Sequence, residues 1–261
     1  MPLTDITIDF LQQYFDKILV VSIPRFAERH EKLKEHLKGL SFEFFWGTDK
    51  LQLNKDELIR EGSYNEELAK KHQRQGKSLN LGEIACSLSH RNLYTFMIAQ
   101  GWKKVLVLED DILPLYRNLG CLANTLQELP PDWELVYLGY LKHEKVTASL
   151  KSKLIFYKVL SRLGMMKWNY TMVSNILPKG YSRHLRIAGF HDCTHAYAIT
   201  SVAAKKLLAH QTPVSYRADD LLSTLILKGE LNAFITDPKF FDQEIFHDRS
   251  LTSDIRTQPE L

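Results

Sequence analysis

Cysteine is scarce in this sequence, and its spacing suits neither a metal site nor a disulfide framework. The three cysteines, Cys86, Cys121 and Cys193, lie far apart along the chain. An odd number of scattered cysteines favours free thiols in a reducing compartment.

Long apolar runs and a strong charge of one sign are also missing. No uncharged stretch approaches the roughly 20 residues that a transmembrane helix needs, and residues 1–16 lack the basic start and apolar run of a signal peptide. The formal net charge of +3 is too small to indicate nucleic-acid binding. We therefore expect a cytoplasmic protein, at most peripheral on the inner membrane surface, with no nucleic-acid partner.

Apolar strand-like segments alternate with amphipathic helix-like segments along the chain. The strand-like segments are residues 17–23, 41–46, 104–108, 134–138, 195–200 and 231–236, the last of which we expect to be the final strand. Helical patterns cover residues 25–38, 80–100, 115–128, 201–210 and 219–228, while residues 54–75 suit surface helices or a mobile loop. The alternation predicts one α/β domain over residues 1–261, with a mainly parallel, Rossmann-like sheet flanked by helices.

Three consecutive acids, Glu109, Asp110 and Asp111, directly follow the most apolar of the strand-like segments. Like charges this close repel one another, and burying any of them unpaired is costly. A divalent cation would remove the conflict, because carboxylate oxygens suit Mg²⁺ or Mn²⁺ and open α/β sheets bind ligands at the carboxyl ends of their strands. The alternative is a solvated turn in which the acids cap the next helix.

Several segments, taken together and in order, resemble glycosyltransferase family 25, which includes bacterial lipooligosaccharide galactosyltransferases and collagen galactosyltransferases. The segments that carry the resemblance are residues 23–29 (IPRFAER), 79–90 (LNLGEIACSLSH), 107–111 (VLEDD), 195–207 (HAYAITSVAAKKL) and the pair Asp219 and Asp220. The resemblance implies a GT-A fold, a sugar-nucleotide donor such as a UDP-hexose, and an inverting transfer assisted by Mn²⁺ or Mg²⁺.

Within that resemblance, the acidic stretch takes the place of a metal-binding motif. Asp111 is our choice for the principal metal ligand, and Glu109, two positions earlier on the same side of an extended strand, could join it. Asp110 should point the other way, toward a structural role beside the donor.

Inverting transfer also needs a general base that takes a proton from the acceptor hydroxyl. Asp219 and Asp220 are the candidates, and the sequence does not choose between them. Adjacent acids at a helix start are equally ordinary capping and dipole partners.

The donor candidates are spread over the first half of the chain. Arg25 and Arg29 lie one turn apart, so that both could face phosphates, although a salt-bridged surface helix is the alternative. Glu83 and His90 fall on one face of a helix that begins with a capping box at Asn80. A lone histidine on a helix is more often structural. Thr48 and Asp49 are assigned to the surroundings of the donor's base and ribose, mainly from their position in the family pattern.

Two regions remain. In the C-terminal part, His247 is a candidate for a further metal ligand. Gln243 is a candidate for binding the metal or the acceptor. The alternative is that this part of the chain is a loose polar tail. Residues 141–190 form an insertion rich in lysine and arginine, with interleaved aromatic and aliphatic residues. This composition favours either contact with an anionic membrane or a phosphorylated glycolipid acceptor, or a helix that covers the sheet with its lysines in water.

The acidic stretch and the resemblance together predict a glycosyltransferase that moves a hexose to a cell-surface glycan or lipid-linked acceptor such as lipopolysaccharide. That the hexose is galactose, from UDP-galactose, is implied by the family resemblance alone. Two alternatives use the same residues. One is a metal-dependent nucleotidyltransferase or phosphoesterase, and the other is a non-catalytic sugar-nucleotide- or glycan-binding protein.

Overall fold

The computed structural model describes residues 3–73 and 75–247. Within these residues the helices are α1 (Asp5–Tyr14), α2 (Ala27–His36), α3 (Lys55–Arg60), α4 (Glu66–His72), α5 (Leu81–Ala99), α6 (Tyr116–Leu119), α7 (Leu122–Gln127), α8 (Ala148–Arg162), α9 (Tyr170–Ser174), α10 (Ser201–His210) and α11 (Ala218–Lys228). The strands are β1 (Lys17–Ser22), β2 (Glu43–Trp46), β3 (Lys104–Glu109), β4 (Ile112–Pro114), β5 (Leu135–Leu141), β6 (Lys179–Gly180), β7 (Leu185–Ile187), β8 (Asp192–Thr200), β9 (Ala233–Thr236) and β10 (Phe241–Gln243).

The central sheet has the strand order β2-β1-β3-β8-β5-β9-β7-β6. Strand β1 pairs in parallel with β2 and β3, and β5 with β9, whereas β8 runs antiparallel to both of its neighbours, β3 and β5. Strand β7 is also antiparallel to its neighbours β9 and β6. The α/β class and the GT-A-like arrangement are confirmed, with β8 and β7 running against the shared direction of the other strands.

Side-chain alternation in β3 explains why its sequence is apolar throughout. Leu106 and Leu108 enter the core layer that contains α1, α2 and α7, whereas Val105 and Val107 enter the layer that contains α5, α10 and α11. Each fully buried side chain of this kind contributes about 1.5–3 kcal/mol to stability. With both faces covered by helices, only the end of β3 is left for polar residues.

Strand directions bring several chain segments to one edge of the sheet. The carboxyl ends of β1, β3 and β5 lie there, and so does the amino end of β8, because β8 is antiparallel. The register pairs Val21 with Glu109, and Leu141 with Asp192. This edge carries the candidate site.

Most predicted elements are present, but two predictions are wrong. Residues 115–128 do not form one helix: α6 ends at Leu119 and α7 begins at Leu122, with Gly120, a poor helix former, between them. Residues 231–236 are not the final strand, because β10 follows and pairs antiparallel with β4. Residues 54–75 contain α3 and α4, in agreement with surface helices.

No helix in residues 3–73 or 75–247 is long and apolar enough to cross a membrane.

Candidate active site

Two carboxylates and one amide meet where β3 ends. The pairing of β10 with β4 places Gln243 opposite Ile112, and Gln243 Nε2 donates to Glu109 Oε2 at 3.3 Å and to the two carboxylate oxygens of Asp111 at 3.2 and 3.4 Å. Glu109 and Asp111 therefore face the same space, as the alternation along an extended strand predicts.

Glu109 is held from three sides. Besides Gln243, the Thr194 hydroxyl donates to Glu109 Oε1 at 2.5 Å, and His90 Nε2 lies 3.7 Å from the same oxygen. The other ring nitrogen of His90 lies 2.7 Å from the hydroxyl of Tyr197. Burial alone would raise the pKa of Glu109, but the adjacent His90, together with the Thr194 hydrogen bond and His195, outweighs it and lowers that pKa.

Asp111 shows the opposite behaviour. Burial, together with the negative charges of Glu109 and Asp110, raises the pKa of Asp111 to about 7. A negative charge on Asp111 is therefore unfavourable next to the one on Glu109. A bound cation would remove this repulsion.

The donor set at this point suits a hard divalent cation that is also held by its substrate. Within the described ranges no group of three or more His, Cys, Asp or Glu side chains is arranged to hold a metal ion. Mg²⁺ commonly takes only one or two carboxylates and completes its shell with water and substrate phosphates. Glu109 and Asp111 fit that pattern, and do not form an all-protein cage.

Asp110 points away from this pair. Ser22 donates a hydrogen bond to its Oδ2, and Arg29 Nη1 donates to its Oδ1 at 2.9 Å. Burial raises the pKa of Asp110 in spite of these two partners. His30 Nε2 in turn lies 2.7 Å from the Ser22 hydroxyl, so that the acid links β3 to the start of α2.

Two adjoining cavities meet at the carboxylate pair. The first has a volume of about 360 Å³ and is bounded by Asn80, Glu83, Thr194, Arg217 and Asp219, among others. The second, of about 140 Å³, lies at the end of β1, and its walls include Ser22, Arg29, Gly47, Thr48, His90 and Asp110. Cys86, Glu109, Asp111 and Gln243 line both cavities.

Close packing shapes the second cavity. A Cβ atom on Gly47 would lie 2.6 Å from Ser89 Oγ, so that only glycine fits between β2 and α5 there. The Ser89 hydroxyl accepts from the backbone N–H of Thr48 at 2.8 Å. These contacts fix the loop after β2 against α5 and hold Thr48 at the cavity wall.

Asp219 and Asp220 occupy different surroundings. Asp219 lines the first cavity, where its Oδ2 accepts from the backbone N–H of Cys193 at 3.3 Å. Asp220 instead accepts from Arg217 Nε at 2.7 Å and from Gln73 Nε2 at 3.2 Å. Neither acid is the N-cap of α11, which is Arg217. Burial raises the pKa of Asp219, although the charge of Arg217 opposes this.

The chain shows a clear match to one protein family. The sequence profile described as "Glycosyltransferase family 25 (LPS biosynthesis protein)" matches residues 15–222, which include the carboxylate pair and Asp219. The chain belongs to glycosyltransferase family 25. The resemblance inferred from its motifs is thereby confirmed.

Individual members of family 25 match at low identity. A human protein named "Inactive glycosyltransferase 25 family member 3" is 27% identical over 206 residues, which cover 76% of this chain and 29% of the relative. A glycosyltransferase 25 family member from Anopheles gambiae is 29% identical over 205 residues, 74% of this chain and 28% of the relative. Procollagen galactosyltransferase 1 from Danio rerio is 26% identical over 135 residues, 48% and 21% respectively. The matched region thus spans less than a third of each of these relatives.

Of the remaining predicted site residues, some line the two cavities and others do not. Arg25 Nε donates to Asp49 Oδ2 at 2.7 Å, and neither residue is among those described as lining either cavity. Glu83 completes the predicted capping box with Asn80 and lines the first cavity, not the second. His247 lies 3.1 Å from Asp242 and is likewise outside the residues described as cavity walls.

Sequence reasoning missed three residues that the family 25 fold brings to the site. Thr194 holds Glu109, Arg217 lies between Glu83 and the two acids of α11, and Ser22 holds Asp110. Each stands directly beside a motif or at a strand end, which is the signal that could have identified it.

Proposed function

We propose that this chain is a catalytically active, metal-assisted, inverting hexosyltransferase. Its donor would be UDP-galactose, and its acceptor a cell-surface glycan or lipid-linked sugar such as lipopolysaccharide or lipooligosaccharide. The galactose rests on relatives named procollagen galactosyltransferase, and the acceptor class on the family description as LPS biosynthesis proteins.

The observation that carries the proposal is the convergence of Glu109, Asp111 and Gln243 on the boundary shared by two cavities. A transferase needs donor and acceptor on either side of one reacting bond. We assign the nucleotide and diphosphate to the second cavity, beside Arg29 and Thr48. The acceptor then enters the larger first cavity, beside Asp219 and Arg217.

Glu109 and Asp111 would hold Mn²⁺ or Mg²⁺. When bound, such an ion neutralises the negative charge that develops on a departing diphosphate. Neighbouring residues hold the carboxylate pair in position. Thr194 and His90 contact Glu109, and Ser22 and Arg29 bind Asp110 away from the pair. Arg29 also brings positive charge to the wall of the donor cavity.

Asp219 is our candidate for the general base. It faces the acceptor cavity, and its raised pKa brings its basicity closer to that needed to accept a proton from a sugar hydroxyl near neutral pH. Arg217 Nε lies 3.7 Å from Asp219 Oδ1 and 2.7 Å from Asp220 Oδ2. Asp220 would therefore serve to position Arg217, and through it Asp219.

A second candidate function is non-catalytic binding of a sugar nucleotide or glycan. It is favoured by the human relative, which matches 76% of this chain and is named inactive. Such a protein would keep the donor cavity without turning over the donor.

Incubation with a panel of nucleotide sugars, with Mn²⁺ or with a chelator, tests these alternatives. The proposal predicts Mn²⁺-dependent release of UDP from UDP-galactose, faster when an acceptor glycan is added. Binding of UDP-galactose, measured as a rise in melting temperature, without any UDP release would support the binding protein. Hydrolysis of nucleotides regardless of their sugar would support a phosphoesterase and contradict the transferase.

A further inference from the structure

Helix α8 carries an apolar stripe on its solvent side. Ile155, Phe156, Val159 and Leu163 have exposed fractions of 66, 58, 51 and 67%. Their spacing places them within about 100° of one another around a helix. No residue of α8 is buried, and Met165 just beyond it is 69% exposed.

The side of α8 that faces away from the stripe is attached to the protein, so that the stripe keeps its outward direction. At the margin between the two sides, Lys158 and Arg162 lie over the ring of Tyr170 in α9, at 5.8 and 4.4 Å from its centre. The Ser161 hydroxyl donates to the carbonyl of Trp168 at 2.8 Å. Half-buried Leu154 and Leu160 lie on this attached side.

The charged residues of α8 and its flanking segments have one sign. Between Glu144 and Asp192 the sequence contains no aspartate or glutamate. Helix α8 and the turn after it contribute the basic residues Lys151, Lys153, Lys158, Arg162 and Lys167. Lys151, Lys158 and Arg162 fall along one margin of the stripe at helical spacing, and Lys153 near the other.

We propose that this face of α8, from Lys151 to Met165, docks on an anionic phospholipid bilayer. Apolar side chains of an interfacial helix enter the headgroup boundary, while flanking lysines contact anionic headgroups. Charge complementarity selects the bilayer over a second copy of the chain, because two such faces would bring their lysines together.

The segment just beyond this face contacts the end of α4, which in turn contacts α11. Lys167 Nζ lies within 3.5 Å of the carbonyls of Lys71 and Gln73, and Gln73 donates to Asp220, next to Asp219. Membrane docking does not depend on the proposed transfer reaction and is measured without it.

Co-sedimentation with vesicles tests the proposal. The full chain should bind vesicles of phosphatidylcholine mixed with phosphatidylglycerol, bind pure phosphatidylcholine weakly, and be released by high salt. Phe156→Ser with Leu163→Ser should weaken binding about tenfold or more, whereas Ile6→Ser, at a 79% exposed position of α1, should not. Each of Lys151→Gln and Lys153→Gln should weaken binding about fivefold, with Lys205→Gln in α10 as the matched control.

Thermal melts establish that each variant is folded before its binding is interpreted. Equal binding of the stripe variants and their controls, or no preference for anionic vesicles, would overturn the proposal. Self-association that disappears in the Phe156→Ser variant, without vesicle binding by the parent chain, would assign the face to a second copy and would also overturn it.

Discussion

Gln243 Nε2 donates to Asp111 Oδ1 at 3.2 Å, although 132 residues separate the two in sequence. The same nitrogen reaches Glu109, so that one neutral amide lies between two carboxylates. This contact joins the end of β3 to strand β10. It also defines the boundary between the two cavities.

Asp111→Asn should remove the Mn²⁺ dependence of UDP binding. The substitution keeps the shape of the side chain but deletes the charge that a divalent cation needs. We expect Mn²⁺-dependent UDP affinity to fall by about 100-fold, as measured by calorimetry. Asp56→Asn, on the exposed start of α3, is the matched control. Unchanged Mn²⁺-dependent affinity in the Asp111 variant would remove this residue from the metal site.

Gln243→Leu should destabilise the metal-free protein. It leaves both carboxylates without their shared donor, and lost hydrogen bonds to charged groups cost about 1.5–3 kcal/mol. Urea unfolding in the presence of a chelator measures the loss, with Gln52→Leu on the exposed 3₁₀ turn as the control. Equal stability of the two variants would show that the amide contact contributes little.

Asp219→Asn should lower turnover by about 100-fold or more while leaving UDP binding intact, since the residue faces the acceptor cavity. Because burial raises the pKa of Asp219, the activity of the wild type should rise with pH. The midpoint of that rise should lie above the pKa of an ordinary aspartate. Asp220→Asn should cost less, as its carboxylate is engaged by Arg217 and Gln73. The reverse ranking of the two variants would assign the base to Asp220.

The ionised carboxylate of Glu128 should stabilise the folded protein at neutral pH, and this effect should be lost in acid. Burial raises its pKa, but hydrogen bonds from Ser182 and from the backbone and ring of His184 outweigh this and lower it to about 2. A carboxyl group whose pKa is lower in the folded state than in the unfolded state stabilises the fold at pH values above its unfolded-state pKa. That contribution is lost as the pH falls through the folded-state pKa.

Glu128→Gln should therefore cost about 1 kcal/mol at neutral pH, a figure reduced for solvent exposure. The difference from the wild type should shrink as the pH is lowered from about 5 toward 2. Urea unfolding at several pH values checks this. A difference that stays constant over that range would mean that the carboxylate charge is not involved.

Local patterns predicted much of the fold. The capping box is encoded in Asn80 and Glu83, three residues apart, and the structure contains both of its hydrogen bonds. The apolar run of β3 likewise predicted a strand covered on both faces. The positive φ of Gly229 ends α11 where expected. Such features depend on neighbours in sequence, so they can be inferred without knowing the rest of the chain.

Long-range pairings could not be predicted in the same way. Strands β4 and β10 have three residues each, and only their mutual pairing makes them strands. The choice between Asp219 and Asp220 depends on the backbone N–H of Cys193, which donates to Asp219, and on Arg217, whose Nε donates to Asp220. Nothing in two adjacent aspartates reveals which one a distant strand will turn toward a cavity.

A crystal of the chain grown with UDP and Mn²⁺ tests the central claim most directly. Anomalous scattering should locate manganese about 2.0–2.6 Å from carboxylate oxygens of Glu109 and Asp111, with the diphosphate on the same ion and the uridine in the cavity beside Thr48. Manganese or diphosphate bound elsewhere, with Glu109 and Asp111 still joined only through Gln243, would contradict the account.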